Sequence, residues 1–392
     1  MPKTLVLSAL ALAAPFLAAC TEDAGSADSA SDGGNPRALT VESSDDACTV
    51  SATEAPAGTL TFDVTNTGST VTEFYLLGED GQRIVGEVEN IGPGLSRKMT
   101  VSAPAGSYFT ACKPGMEGDG IRARFTVTES DQAPTVSGGG VQESAVEEAQ
   151  EKYADYVQDE AAQLLVQTRQ FVELYKSGQD DRARALYPEA RTHWERIETV
   201  AESFGDLDPR TDLREADLEP GQEWTGWHRI EKDLWPQRAM GYTPLTQQER
   251  ATYADDLLEN IRTLDDRVQG LTYTVDQIAN GSRGLLEEVA TGKVTGEEEY
   301  WSRTDLWDFQ ANVDGARVGY EGVEPIVDAK DPELAEELEE RFAALQELLD
   351  AQKVGDGFKT YDQLAQDEIK QLADAVNALS EPLSELTAAV LS

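Results

Sequence analysis

The stretch Ser130-Asp-Gln-Ala-Pro134-Thr-Val-Ser-Gly138-Gly-Gly140 separates two regions of different periodicity. Proline and three consecutive glycines interrupt regular structure, so a linker is expected at 131–141. Before it, from Leu39, the pattern has a period of two. Leu60, Phe62 and Val64 alternate with Thr61, Asp63 and Thr65. Further short apolar segments contain Ile84 and Val85, Met99 and Val101, Tyr108, and Phe125 and Val127. Turn signals such as Gly78-Glu-Asp-Gly81, Gly92-Pro-Gly94 and Pro104-Ala-Gly106 separate them. Short strands at this spacing predict a β-sandwich over 39–130. Beyond the linker Ala, Glu, Leu and Gln dominate, and proline falls mostly where helices should start. The pattern predicts helices near 142–176, 181–204, 222–235, 246–269, 271–291, 297–320, 331–352 and 360–390. The expected class is therefore multidomain β + α, a sandwich followed by an all-α bundle over 142–392.

At the N-terminus an apolar run from Thr4 to Ala19 follows Lys3. It is too short to span a bilayer and reads as a signal peptide over 1–19. The run ends Leu17-Ala18-Ala19-Cys20, which resembles a bacterial lipobox, so Cys20 is expected to carry lipid. Residues 20–38, rich in Ser, Asp, Gly and Ala, read as a flexible tether. The expected location is extracytoplasmic, on the outer face of the cell membrane. The chain carries 74 acidic against 32 basic side chains, a formal net charge of −42. Nucleic acid needs a cationic counter-surface, so that partner class is excluded.

Only two histidines occur, and both lie in near-copies of one motif: His193-Trp194-Glu195-Arg196-Ile197-Glu198 and Trp227-His228-Arg229-Ile230-Glu231. Residues three apart on a helix share a face. Glu195 with Glu198, and His228 with Glu231, can thus each aim two donors at one point, as metal-binding bundles do. The opposing reading of each pair is an ordinary helix-surface contact worth tenths of a kcal/mol. Trp194, Trp224 and Trp227 are expected to exclude water, and Arg196 and Arg229 to orient the carboxylates.

These motifs, with Phe204-Gly-Asp-Leu-Asp208, Gly226-Trp-His-Arg-Ile-Glu231 and Asp305-Leu-Trp-Asp-Phe-Gln-Ala-Asn-Val-Asp-Gly315, resemble the imelysin-like domain of EfeO-type iron-uptake proteins. The preceding sandwich is similar to their cupredoxin-like domain. The resemblance implies a metal-binding component that takes up iron, as Fe2+ or Fe3+, and works with an iron permease and a haem-containing peroxidase. It places the family's His-x-x-Glu on His228 and Glu231, and its Glu-x-x-Glu on Glu195 and Glu198. Asp212, from the acidic loop 206–217, and His193 complete the candidate ligands. An imidazole and carboxylate set suits iron and also accepts Cu2+ or Zn2+.

A blue-copper site needs Cys, two His and an axial Met. The sandwich contains no histidine, and Glu73 stands where the first would fall. The resemblance implies instead a modified second metal site of Cys48, Glu73 and Cys112. Against it stands a Cys48–Cys112 disulfide, since thiols outside the cytoplasm usually pair. Two other functions compete with iron uptake. An imelysin-like metallopeptidase of the common zinc type would need His-Glu-x-x-His, which is absent, so no enzymatic activity is expected. A metal-bridged envelope or polysaccharide-binding protein would use the Trp-rich helices as a platform.

Overall fold

The computed structural model describes residues 35–116, 118–130, 140–218 and 220–391. The expected signal peptide and the lipidation site Cys20 lie outside the described residues, as do most of the tether and linker. Everything below belongs to the compact unit that begins at Pro36.

Among the described residues, nine strands form the two sheets of the sandwich: β1 (Ala38–Ser43), β2 (Cys48–Val50), β3 (Glu54–Pro56), β4 (Gly58–Asn66), β5 (Thr72–Leu77), β6 (Ile84–Ile91), β7 (Ser96–Ala103), β8 (Gly106–Cys112) and β9 (Ile121–Thr128). One sheet runs β2-β1-β4-β7 and the other β3-β9-β8-β5-β6. β1 lies parallel to β4 and β3 parallel to β9; the remaining pairs are antiparallel. The period-two pattern is realised directly. Leu60, Phe62 and Val64 are fully buried, and the Phe62 ring packs 5.2 Å from Phe74 and 5.8 Å from Phe125 across the two sheets. Cys48 of β2 and Cys112 of β8 are joined by a disulfide, with Cα atoms 5.4 Å apart, which ties one sheet to the other.

The helices are α1 (Gly140–Lys176), α2 (Asp180–Glu195), α3 (Glu198–Glu202), α4 (Asp208–Thr211), α5 (Gly226–Leu234), α6 (Gln247–Val268), α7 (Val275–Thr291), α8 (Asp305–Lys330), α9 (Pro332–Asp350) and α10 (Gln366–Leu391). α1 packs on α2, α6 and α8, while α7 packs on α8 and α10. The helix predicted over 181–204 is in fact two. At the break Ile197 leaves helical geometry (φ −124°, ψ 18°). Asn312 of α8 donates from Nδ2 to the Glu195 carbonyl at 2.7 Å, and α8 approaches so closely that a Cβ on Gly315 would fall 2.3 Å from the Arg196 carbonyl oxygen. The helix predicted from 297 instead starts at Asp305, and the one predicted from 222 starts at Gly226. Helix-like composition there gives way to turn and irregular backbone.

Sandwich and bundle touch through β6, β7 and α7. Ser102 donates its backbone N–H to the buried Asp276 at 2.6 Å, and Asn280 donates to the Thr100 carbonyl at 3.3 Å. The Ile84 amide donates to the Ser203 carbonyl at 3.1 Å.

Candidate metal centre

The break between α2 and α3 aims Glu195 and Glu198 at the same interior point, although they do not share one helix. Asp212 arrives from the end of α4. His228 and Glu231 lie one turn apart on α5, whose first residue, Gly226, has φ +84°. That conformation suits glycine, and a Cβ there would lie 2.1 Å from the Thr211 carbonyl oxygen. The close approach is what brings α5 against α4 and His228 beside Asp212.

The resulting distances are those of a shared basin. His228 Nε2 lies 3.4 Å from Asp212 Oδ1 and 3.2 Å from Glu298 Oε1. Its Nδ1 lies 3.5 Å from Glu231 Oε2 and 3.7 Å from Glu299 Oε1. Three overlapping sets occur, and within each one the donor atoms fall within 4.8 Å of one another: Asp212, His228 and Glu298; His228, Glu231 and Glu299; Glu195, Glu198 and Asp212. Asp212 and His228 link the three into one centre, and all these residues are buried.

Glu298 and Glu299 escaped the sequence reading, which placed them on the first turn of a helix. Their signal was the acidic run Glu297-Glu298-Glu299 beside Trp301. The segment is a turn whose Glu299 amide donates to Asp305 at 3.0 Å. The Trp301 and Ser302 amides donate to Glu231 Oε1 at 2.8 and 2.5 Å, which fixes that carboxylate.

The basic partners also differ from expectation. Arg196 pairs with Glu160 and Asp314, outside the centre, and Arg229 donates to Tyr242 and lies over the Trp224 ring. Arg191, fully buried, takes the orienting role: it pairs with Glu195 and Asp212 and lies 2.8 Å from Glu299 Oε1. Lys293 pairs with Glu195 and Glu198. Trp194 and Trp227 are core residues, Trp227 packing on Phe171 and Tyr187.

His193 does not reach the centre. Its Nδ1 lies 2.6 Å from Glu160, on the other side of α2. Nor do the sandwich residues form a second site in this structure. The disulfide leaves Cys48 and Cys112 no thiolate, and Glu73 accepts a hydrogen bond from Tyr75 and faces Lys113 at 3.8 Å.

Charge in the centre is out of balance. Eight buried carboxylates (those of Glu195, Glu198, Asp212, Glu231, Glu298, Glu299, Asp305 and Asp308) face Arg191, Lys293 and His228. Burial is the main reason that Glu195 is pushed up to about 8 and Glu198 and Asp305 to about 7, with neighbouring carboxylates adding to the rise at Glu195. Burial and Arg191 would depress the His228 imidazolium, but Asp212, Glu231 and Glu298 outweigh them and lift it to about 10. Burial alone would raise Glu298; Lys293 and His228 overcome it and hold that carboxyl well below its usual range. His228 Nδ1, Glu231 Oε2 and both Asp308 oxygens make no hydrogen bond although they are buried. Orphaned donor atoms in an acid-rich interior are what a multivalent cation would satisfy. The predominance of oxygen suits iron over a thiophilic ion.

Comparison with known proteins identifies both parts of the chain. The family model for imelysin matches residues 149–386, and that for the cupredoxin-like domain matches residues 8–127. The iron uptake system component EfeO of Yersinia pseudotuberculosis is 35% identical over 345 residues, covering 87% of this chain and 88% of its own. EfeO of Escherichia coli is 34% identical over 336 residues, covering 84% and 85%. An Efem/EfeO family lipoprotein of Staphylococcus haemolyticus is 40% identical over 253 residues, covering 64% of this chain and 86% of its own.

Proposed function

The chain belongs to the EfeO family of imelysin-domain proteins, and from that premise we propose that it is the extracytoplasmic component of an iron-uptake system, capturing iron in the bundle and passing it to a membrane permease. The observation that carries this reading is the convergence of Asp212, His228 and Glu298 on one buried point that overlaps the His228–Glu231 and Glu195–Glu198 pairs. The protein works by binding and release, without turnover. The cargo is Fe2+ or Fe3+, and the same donors accept Cu2+ or Zn2+ less selectively. A haem-containing peroxidase of the same system is the further partner. Cys20 anchors the chain by lipid to the outer face of the membrane, and no helix among the described residues is long and apolar enough to cross it.

Iron titration of the purified chain tests the reading. Wild type is expected to take up iron, and His228→Ala and Glu231→Ala to lose that stoichiometry. Equal uptake by all three proteins moves the site elsewhere.

A further inference from the structure

The Glu195–Glu198 pair already holds a cation, and that cation belongs to the protein. Lys293 Nζ lies 2.9 and 2.8 Å from the two Glu198 oxygens and 3.1 Å from Glu195 Oε2, with the residue 1% exposed. Asn312 Nδ2 closes the pair by donating to Glu195 Oε2 at 3.2 Å and Glu198 Oε2 at 2.9 Å. An ammonium held by carboxylate oxygens in this way sits where a metal ion bridging the pair would sit. Two cations do not share such a place, because like charges repel strongly where water is excluded.

A second set of carboxylates lies next door. Oxygens of Glu202 and Glu288, both half-buried, fall within 4.8 Å of each other and of a Glu198 oxygen. They line a cavity between α3, α7 and β6. Lys293 follows the end of α7, on a short turn between Gly292 and Gly296, and carries its ammonium on a four-carbon stem with several rotatable bonds. Glu198 is thus common to an inner pair that holds the ammonium and an outer group able to receive it.

We propose that Lys293 is a built-in competitor for the cargo: its ammonium occupies the Glu195–Glu198 seat in the empty protein, and an entering metal ion displaces it to Glu202 and Glu288. The inference rests on the iron-uptake reading of this centre. Exchange of one cation for another keeps the buried carboxylates compensated throughout. The returning ammonium then helps to expel the cargo, which suits a carrier that must release what it binds. Lys293 sets affinity by occupying the seat and contributes no ligand.

Two measurements on the full chain test this. In competition titrations with iron, Lys293→Met is expected to bind at least about tenfold more tightly than wild type, since the internal competitor is gone. Equal or weaker binding by a Lys293→Met protein with a wild-type circular dichroism spectrum overturns the proposal. The other measurement uses wild type alone and so survives a variant that fails to fold. Acetylation of Lys293, followed by mass spectrometry, is expected to accelerate when iron saturates the protein. An unchanged or slower rate on loading overturns the displacement. Wild type that takes up no iron overturns the uptake reading and this inference with it, whereas iron uptake with an indifferent Lys293 defeats the inference alone.

Discussion

Asp212 and His228 are the residues through which the three donor sets become one centre, and Glu298 is what completes their contact. Glu298 Oε1 is the nearest carboxylate oxygen to His228 Nε2, at 3.2 Å. Glu298→Gln removes the charge and keeps the shape, so iron affinity is expected to fall about tenfold or more, a loss of roughly 1.4 kcal/mol or greater. His193→Gln, far from the basin, is expected to leave it unchanged. Side-by-side competition titrations check both, and a His193 effect equal to that of Glu298 would mean that the geometry misplaces the ligands. The contrast also shows what a sequence can and cannot disclose. His228 and Glu231 stood out because imidazole occurs twice in 392 residues and recurs beside tryptophan. Glu298 is one acid among 74, marked locally only by the short acidic run 297–299 beside Trp301. Arg191 and Lys293 were invisible for a different reason: a basic residue reads as surface until the fold buries it.

At the level of elements, the centre depends on backbone approaches more than on helix faces. The sequence pattern located the sandwich strands and most helices, because alternation and composition are local properties. It missed the α2–α3 break, since the Asn312 side chain that takes the Glu195 carbonyl comes from a distant helix. The start of α5 is the most sensitive of these approaches. Gly226→Ala forces a positive φ on a residue with a Cβ and drives that Cβ into the Thr211 carbonyl. A cost of about 1–3 kcal/mol is expected from backbone strain before the clash is counted. Because His228 follows two residues later, iron affinity should drop with stability. Denaturant unfolding and an iron titration on the same preparation check this; a stable variant with normal affinity would show that α5 can shift without disturbing the centre. The disulfide behaves oppositely. Its 64-residue separation corresponds to about 4 kcal/mol of loop-closure stabilisation confined to the sandwich. Cys112→Ser is expected to lower sandwich stability in unfolding scans while the iron stoichiometry of the bundle stays the same. A loss of iron equal to that of His228→Ala would return the cysteines to the list of ligands.

Across the whole molecule, the excess of buried acid makes stability depend on what neutralises it. Glu195 rises to about 8, and Glu198, Asp208, Glu288 and Asp305 to about 7, burial being the largest cause in each. A carboxyl whose folded pKa lies above its unfolded one stabilises the fold completely below the unfolded value, near 4. That contribution disappears as pH climbs through the folded value. His228, raised to about 10, has the same sign and extends the decline above its unfolded value of 6.5. Glu298 has the opposite sign, but its contribution is lost only at acid pH, below the window in question. The iron-free protein should therefore melt at a higher temperature near pH 5.5 than near pH 8. A bound cation replaces the missing protons, so loading with iron should raise Tm more at the higher pH and narrow the gap, with protons released on binding. Calorimetric melts at both pH values, with and without iron, measure the effect. An iron-free Tm that rises from pH 5.5 to pH 8 would mean that the buried carboxylates are already compensated within the fold, and that the centre has no charge deficit for a cargo ion to fill.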